Sequence, residues 1–252
     1  MRTLANRNPL ILIFLLALCV ACSPSYTYTY NTTKSSTGVK ASIKPDSAVE
    51  AVIKPYRAQL NAEMTEVIGE AATDISKNSE VPESPLGKVC VDMLLAQARK
   101  RSEAKVDLAL INTGGLRVPI AQGPIDIRLI FELMPFENEV VVVELTGKEL
   151  QALFQKNSEK RVWPVAGAIP TYRRGQLVEV KIGGKALEPE ATYYLATSDY
   201  LAKGGDDMGF LIGQPSVSLG IKVREAFIAQ IKALTAKGQK LRVPQGDRAI
   251  FE

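Results

Sequence analysis

The chain has 252 residues, of which 46% are hydrophobic and 23% charged, and its formal net charge at pH 7 is +4. This composition is ordinary for a globular protein with one sizeable core or two small ones. Lysines and arginines are scattered along the sequence and form no stripe, so the sequence predicts no nucleic-acid partner.

The first 21 residues are predicted to be a lipoprotein signal peptide. A basic start precedes an apolar run over residues 9–20, and small residues lead up to Cys22. Val-Ala-Cys at 20–22 resembles a bacterial lipobox, in which the cysteine is acylated, although Cys19 stands where leucine is usual. An ordinary cleaved signal is the alternative. Lipidation of Cys22 would anchor the protein to a bacterial membrane, in the periplasm or on the cell surface, without a spanning helix.

Residues 22–44 are predicted to be the lipidated cysteine and a flexible linker, because Ser, Thr and Tyr dominate there and aliphatic residues are almost absent. Residues 45–252 are predicted to form one domain. The remaining cysteine of that domain, Cys90, lies on the apolar side of a predicted helix, which indicates a buried structural thiol.

The domain is predicted to begin with a helix. Apolar residues recur at spacings of three and four from Pro45 onward, which is the helical period. The positions that share this face are Val49, Val52, Ile53, Tyr56, Leu60, Met64, Val67 and Ile68.

Further helices and strands alternate along the rest of the chain. The sequence predicts helices over about 85–100 and 223–237, and strands over 106–112, 139–146, 177–182 and 192–198. Thr146 and Glu149 form a capping-box pattern, so another helix is expected to start there. This order predicts an α+β fold with a mixed sheet flanked by helices.

The segment INTGGLR follows the first of these predicted strands. Gly114 and Gly115 permit close approach of a ligand, and Asn112 and Arg117 offer directed polar groups. An arginine fork suits phosphate because it donates two parallel hydrogen bonds. The same residues also fit an ordinary turn with a surface arginine.

Two further segments carry groups suited to a ligand. Phe136 and Asn138 precede the strand at 139–146, where an aromatic ring either closes the core or stacks on a base. Gly204 and Gly205 lead into Asp206, whose two carboxylate oxygens can accept from adjacent hydroxyls of a ribose. Gly-Gly-Asp is also common in solvated turns.

Together these segments resemble the C-terminal domain of 5'-nucleotidases. The pattern Asn-x-Gly-Gly-x-Arg, Pro-Phe-x-Asn, Leu-Thr-Gly and aromatic-Leu-Ala-x-Gly-Gly-Asp extends over about residues 49–210. In that family this domain holds the nucleoside part of the substrate. The resemblance implies a substrate-binding site made of Asn112, Gly114, Gly115, Arg117, Phe136, Asn138, Tyr200, Gly204, Gly205 and Asp206.

The resemblance also assigns roles. Phe136 and Tyr200 would enclose the base, Asp206 would bind the ribose hydroxyls, and Arg117 would face phosphate or ribose. Asn112 and Asn138 would then form hydrogen bonds around the base. Tyr200 departs from the usual phenylalanine, and residues 80–84 lack an arginine that the family often carries, which leaves fewer cations for phosphate.

The sequence contains no histidine. Full-length family members hydrolyse phosphate in a metallophosphatase domain whose two metals need Asp, His and Asn ligands. The resemblance therefore implies no catalytic residues, metal ligands or cofactors in this chain, and divalent metals only in a separate metallophosphatase chain. An exposed apolar surface for such a partner is expected around Phe131–Phe136 and Trp163.

Three functions remain open from the sequence. The first is the nucleotide-binding half of a split 5'-nucleotidase, and the second is a stand-alone nucleoside- or nucleotide-binding lipoprotein. The third is an interaction protein that kept the fold without the ligand. Retention of both aromatic residues, Arg117 and Asp206 argues against the third.

Overall fold

A mixed five-stranded β-sheet lies at the centre of the fold. The structure, a computed structural model, describes residue 38 and residues 40–77, 84–156 and 163–252. The chain forms two units, Met1–Val49 and Glu50–Glu252, and the sheets and both hydrophobic cores belong to the second. The predicted signal peptide, Cys22 and residues 80–83 lie outside the described residues.

Six α-helices are present in the described part of the chain. They are α1 (Ser47–Met64), α2 (Pro85–Arg101), α3 (Ile127–Leu133), α4 (Gly147–Lys156), α5 (Asp199–Ala202) and α6 (Val223–Thr235). Within the described residues, none of them combines the length and the apolar character that crossing a bilayer requires.

Eleven strands form three sheets among the described residues. Their bounds are β1 (Val67–Ala71), β2 (Leu108–Leu110), β3 (Gly123–Asp126), β4 (Glu139–Thr146), β5 (Val165–Ala166), β6 (Ala168–Arg173), β7 (Gln176–Ile182), β8 (Lys185–Ala186), β9 (Thr192–Ser198), β10 (Ser216–Lys222) and β11 (Ile250–Phe251). The central sheet has the order β10-β4-β9-β2-β5, and β2 and β9 are parallel while its other pairs are antiparallel. The predicted α+β class with a mixed sheet is confirmed.

Strand β4 separates the two hydrophobic cores. Its run of four valines alternates, so that Val140 and Val142 pack into one core and Val141 and Val143 into the other. Successive side chains on a strand point to opposite faces, and a strand buried on both faces needs apolar residues at every position. The first core also contains residues of α2 and α6, and the second contains residues of α4.

The capping box predicted at Thr146 is present at the start of α4. Glu149 Oε2 accepts hydrogen bonds from the backbone N–H and the hydroxyl of Thr146 at 2.7 and 2.8 Å, and the Glu149 N–H returns one to Thr146 Oγ1 at 3.3 Å. The backbone hydrogen bond from Thr146 lowers the pKa of Glu149 by stabilising its charged form.

The predicted first helix is partly wrong. Helix α1 ends at Met64, and Val67 and Ile68 lie in strand β1. None of the α1 residues is buried, and apolar side chains such as Val52 and Tyr56 are exposed. The helical spacing of apolar residues therefore correctly predicts a helix, but the apolar face of that helix does not pack into the core.

Two other expectations need correction. The strand predicted over 106–112 covers only Leu108–Leu110, and a 3₁₀ helix follows at Thr113–Gly115. The expectation of an exposed Trp163 is wrong, since this residue is buried in the second core with 9% of its surface exposed. Phe131 is only partly exposed, and the guanidinium carbon of Arg224 lies 4.1 Å from its ring centroid.

Candidate functional site

Three segments that are distant in sequence enclose one cavity of about 290 Å³. They meet because β4, β9 and β2 are neighbours in the central sheet. Strands β2 and β9 run parallel and end at the same edge, and antiparallel β4 begins there, with Val140 opposite Ser198. The lining residues are Asn112, Gly114, Gly115, Phe136, Asn138, Tyr200 and Asp206. We call this cavity the cradle.

The carboxylate of Asp206 is held at both oxygens. The hydroxyl of Tyr200 donates to Oδ1 at 2.8 Å, and Nδ2 of Asn112 donates to Oδ2 at 2.8 Å. A carboxylate has about four lone-pair sites, so each oxygen can accept one more hydrogen bond. Asp206 therefore presents two free acceptor positions whose orientation the protein fixes.

The loop that carries Asp206 has a strained backbone. Asp206 and Asp207 both adopt left-handed conformations, with φ of 49° and 64°. Such a residue costs on the order of 1–3 kcal/mol unless it is glycine. The hydrogen bonds of Asp206, and one from Lys156 Nζ to the carbonyl of Asp207, stabilise this conformation.

Tyr200 packs directly on the loop backbone. A Cβ added at Gly205 would overlap the Tyr200 ring, so the glycine is required by the ring and not by its φ. The aromatic side chains of Tyr200 and Phe136 remain 41% and 42% exposed, and both line the cradle. The hydrogen bond to Asp206 raises the pKa of Tyr200 by disfavouring the phenolate.

Arg224, which the sequence did not single out, supports the loop that carries Phe136. Its Nη1 donates to the carbonyls of Met134 and Phe136 at 3.4 and 3.3 Å, and its Nη2 pairs with Glu137 at 2.5 Å. Only 5% of Arg224 is exposed. Its partners are mostly backbone carbonyls, which carry no sequence signature, so only the fold reveals this role.

Asp199, also not predicted as a site residue, links the two aromatic segments. Its Oδ1 accepts from the backbone N–H of Glu139 at 3.0 Å, next to Asn138. Its Oδ2 accepts from Lys203 at 2.7 Å. Because Asp199 directly precedes Tyr200, this side chain ties the Phe136 segment to the Tyr200 segment.

Of the predicted residues not yet described, Gly115 lines the cradle, whereas Arg117 and Gly204 do not. Arg117 does not line the cavity; its exposed side chain donates from Nη1 to the carbonyl of Gly114 at 3.3 Å. A Cβ at Gly115 would lie 3.1 Å from Asn112 Oδ1, so a larger residue there would crowd Asn112. Gly204 has a φ of 94°, a conformation that glycine adopts without strain.

A larger groove of about 610 Å³ lies elsewhere, between α2, α6 and the segment after residue 239. Most of its charged side chains are engaged within the protein, and Arg242 is exposed. Arg248 pairs with Asp92 at 2.6 Å, Lys240 pairs with Glu70, and Arg99 donates to two backbone carbonyls at 2.9 Å. Burial raises the pKa of Asp92, and Arg248 opposes that shift. These pairings give three of the groove's cations a structural role, so the larger volume alone does not make it the functional site.

No metal site is formed by the part of the chain that the structure describes. Among those residues, no three His, Cys, Asp or Glu side chains lie close enough together to hold an ion. The 252-residue sequence contains no histidine. The described residues therefore do not fit a dimetal centre.

The chain belongs to the 5'-nucleotidase C-terminal domain family. The family model described as "5'-nucleotidase, C-terminal domain" matches residues 67–211, which include every residue of the cradle. The fold agrees: the crystal structure of a 5'-nucleotidase precursor from Thermus thermophilus superposes with a TM-score of 0.67 and 28% identity. That alignment covers 81% of this chain and 43% of the other.

Curated relatives include longer proteins of several names. Protein UshA of Escherichia coli is 29% identical over 199 residues, which are 76% of this chain and 34% of that protein. The 5'-nucleotidase of Vibrio vulnificus is 28% identical over 186 residues, or 70% of this chain and 32% of that protein. Endonuclease YhcR of Bacillus subtilis is 29% identical over 170 residues, or 65% and 14%. The chain thus spans about a third or less of these relatives.

Proposed function

We propose that this chain is the nucleotide- or nucleoside-binding half of a split 5'-nucleotidase. In this proposal the base lies between the rings of Phe136 and Tyr200, and Asp206 accepts hydrogen bonds from the ribose hydroxyls. Asn112 and Asn138 contribute hydrogen bonds around the base, and Arg117 at the rim faces the phosphate or ribose.

One observation carries the proposal. Two half-exposed aromatic side chains and a doubly held carboxylate line the same cavity of about 290 Å³. Aromatic faces bind any base by stacking, and a fixed carboxylate suits a pair of adjacent hydroxyls. The volume is at the small end of the range for small-molecule sites, which suits a nucleoside with its phosphate extending outward.

Hydrolysis is assigned to a separate metallophosphatase chain. A two-metal phosphatase of this family requires histidine ligands, and this sequence has no histidine. The cradle would hold the nucleoside while the partner supplies the metals and the activated water. A stable interface of this kind usually buries at least ~1,200 Å² in total.

A second candidate function is a stand-alone binding lipoprotein for nucleosides or nucleotides. The observation that favours it is that all cradle residues belong to this one chain, so ligand binding needs no partner residue. The two candidates share the ligand and differ only in whether a metallophosphatase engages the bound molecule.

We also propose that the protein resides in the bacterial cell envelope. The basic start, the apolar run and the small residues before Cys22 support a lipid anchor at that cysteine. A single anchored cysteine followed by a polar linker would leave the domain free to meet a secreted partner and its substrate.

Mixing experiments distinguish the two candidates. The full chain, purified in mild detergent, is combined with each secreted metallophosphatase of the same organism, and nucleotide hydrolysis is followed with Zn²⁺, Mn²⁺, Co²⁺ or Mg²⁺. The split enzyme predicts that one mixture has a higher kcat/KM than the metallophosphatase alone. Phe136→Ala or Asp206→Ala should abolish that gain.

Phe251→Ala is the matched control, since Phe251 is 45% exposed and lies outside the cradle. It should preserve the gain. Strong metal-dependent hydrolysis by this chain alone would overturn the split arrangement. If no metallophosphatase gains activity while nucleotides still bind, the stand-alone function is the correct one.

A further inference from the structure

Tyr200 carries a hydroxyl that base stacking does not need. A phenylalanine ring at this position would stack equally well, yet the tyrosine hydroxyl forms two hydrogen bonds to the same residue. It donates to Asp206 Oδ1 at 2.8 Å and accepts from the Asp206 backbone N–H at 3.3 Å. One oxygen atom therefore contacts both the side chain and the backbone of the proposed ribose-binding residue.

We propose that the Tyr200 hydroxyl is a specificity-determining group that orients the Asp206 carboxylate for a ribose diol and so selects ribonucleotides over 2'-deoxyribonucleotides. This inference rests on the proposed nucleotide-binding function. It assigns the sugar selectivity to a pair of residues and not to the carboxylate alone.

Orientation of the carboxylate matters because its terminal torsion is broad. The χ2 angle of an aspartate has no sharp staggered minima, so a carboxylate on an open loop samples many directions. Here Tyr200 holds one oxygen and Asn112 Nδ2 holds the other, at 2.8 Å. The two donors come from different segments of the cradle, and together they fix the plane of the carboxylate.

The loop geometry makes the hydroxyl more important. Asp206 has a left-handed backbone with φ of 49° and ψ of 43°, which an unconstrained aspartate rarely adopts. The Asp206 N–H bonds to the Tyr200 hydroxyl, and the Tyr200 ring rests on Gly205. Loss of the hydroxyl would therefore release the backbone of Asp206 as well as its carboxylate.

A fixed carboxylate favours a ligand that uses both of its oxygens. A ribose presents two adjacent hydroxyls that can each donate to one oxygen, whereas a 2'-deoxyribose can make only one of these bonds. Binding to a mobile carboxylate would require its immobilisation, and the cost for one side chain corresponds to about a three- to tenfold loss of affinity. That loss falls on the ribonucleotide more than on its deoxy counterpart.

The test compares ribonucleotide and deoxyribonucleotide binding in Tyr200→Phe. The full chain in mild detergent is titrated calorimetrically with AMP, GMP, CMP and UMP and with the four matching 2'-deoxyribonucleoside monophosphates. We expect Tyr200→Phe to lower affinity for the preferred ribonucleotide about three- to tenfold. The ratio of ribonucleotide to deoxyribonucleotide affinity should fall by a similar factor.

Two comparisons separate a local role from a general effect on folding. Tyr193→Phe is the matched control, because its hydroxyl accepts from the Glu188 N–H at 3.0 Å outside the cradle; it should leave the ratio unchanged. In an Asp206→Asn background, Tyr200→Phe should alter the ratio less than about twofold, since the group that it orients has been replaced.

An unchanged ratio in Tyr200→Phe, or tighter ribonucleotide binding, would overturn the inference. Tighter binding would mean that the hydroxyl competes with the sugar for Asp206. In either case the parent protein still binds nucleotides and the proposed function stands. If the parent protein binds none of the eight nucleotides, the proposed function fails and the inference fails with it.

Discussion

Asn112 Nδ2 lies 2.8 Å from Asp206 Oδ2, although the two residues are 94 positions apart in sequence. The contact joins the turn after β2 to the loop after β9, which are adjacent parallel strands. It forms only when the central sheet has assembled. The acceptor geometry of the cradle is therefore a property of the fold, and substitutions that disturb either loop should be detected as changes in ligand affinity.

The first prediction concerns Gly205. Replacement by alanine introduces a Cβ that overlaps the Tyr200 ring, so the ring must move and its hydrogen bond to Asp206 must weaken. We expect a loss of nucleotide affinity of about 1–3 kcal/mol, the range for a base stacked on an aromatic ring, because the displaced ring also stacks less well on the base. Isothermal titration calorimetry measures it.

The matched control for this prediction is Gly209→Ala. Gly209 lies further along the same loop, and a Cβ there meets nothing within 4 Å. This variant should bind nucleotides as the parent does. Equal affinities of the Gly205 and Gly209 variants would show that the packing of Tyr200 on the loop has no part in binding.

The second prediction concerns Arg224, whose guanidinium supports the backbone at Met134 and Phe136. In Arg224→Met, those carbonyls lose their donor and Glu137 keeps only its pairing with Lys222. We expect the free energy of unfolding to fall by about 1–3 kcal/mol and nucleotide affinity to fall at a temperature where the variant is fully folded. Denaturant unfolding and calorimetry give the two numbers.

Arg242→Met serves as the control for Arg224, because Arg242 is exposed and lines the larger groove instead of the cradle. The free energy of unfolding of Arg242→Met should differ from that of the parent by less than about 0.5 kcal/mol. A loss of stability in Arg224→Met with no change in nucleotide affinity would mean that Arg224 supports the core alone and does not position Phe136.

The third prediction is a pH dependence. The hydrogen bond to Asp206 raises the pKa of Tyr200, so folding favours the protonated phenol. The associated stability is present below the ordinary tyrosine pKa of about 10 and is lost as pH rises through the raised value. The difference in phenolate absorbance between the parent and Tyr200→Phe should reveal a late-titrating tyrosine. Asp206→Asn should return the pKa of Tyr200 toward its ordinary value. If Tyr200 of the parent titrates at the ordinary tyrosine pKa, the hydrogen bond to Asp206 is absent.

Much of the fold was readable from the sequence. The strands at 139–146 and 192–198 were predicted with the bounds that the structure has, because β-branched and aromatic residues are frequent in both. The capping box at Thr146 was readable because its partners are three residues apart. The apolar spacing of helix α1 predicts a buried face, but none of its residues is buried. Periodicity does not reveal whether any other element covers that face.

The cradle was readable only in part. Its lining residues lie in motifs of fixed spacing, which the resemblance to the family brought together. The sequence does not predict the roles of Arg224 and Asp199, because both side chains bond to the backbone of remote segments, at Phe136 and Glu139. The hydrogen bond between Tyr200 and Asp206 was also missed, since a tyrosine six residues before an aspartate has no fixed geometry until the intervening loop is folded.

The fourth prediction concerns Cys22, which lies outside the described residues. If Cys22 is acylated, the mature protein should fractionate with membranes, and mass spectrometry should show an N-terminal lipid. Cys22→Ser should release the protein or block its processing. A variant that stays membrane-bound with the same mass as the parent would contradict lipidation at this residue.

A calorimetric titration of the parent, Phe136→Ala and Phe251→Ala with the preferred nucleotide shows whether the cradle binds a base. Phe136 and Phe251 are similarly exposed, at 42% and 45%, but only Phe136 lines the cradle. A base stacked on Phe136 predicts a loss of about 1–3 kcal/mol in Phe136→Ala and parent-like binding in Phe251→Ala. Equal affinities for all three proteins, or no binding by the folded parent, would contradict the assignment of the cradle as a nucleotide site.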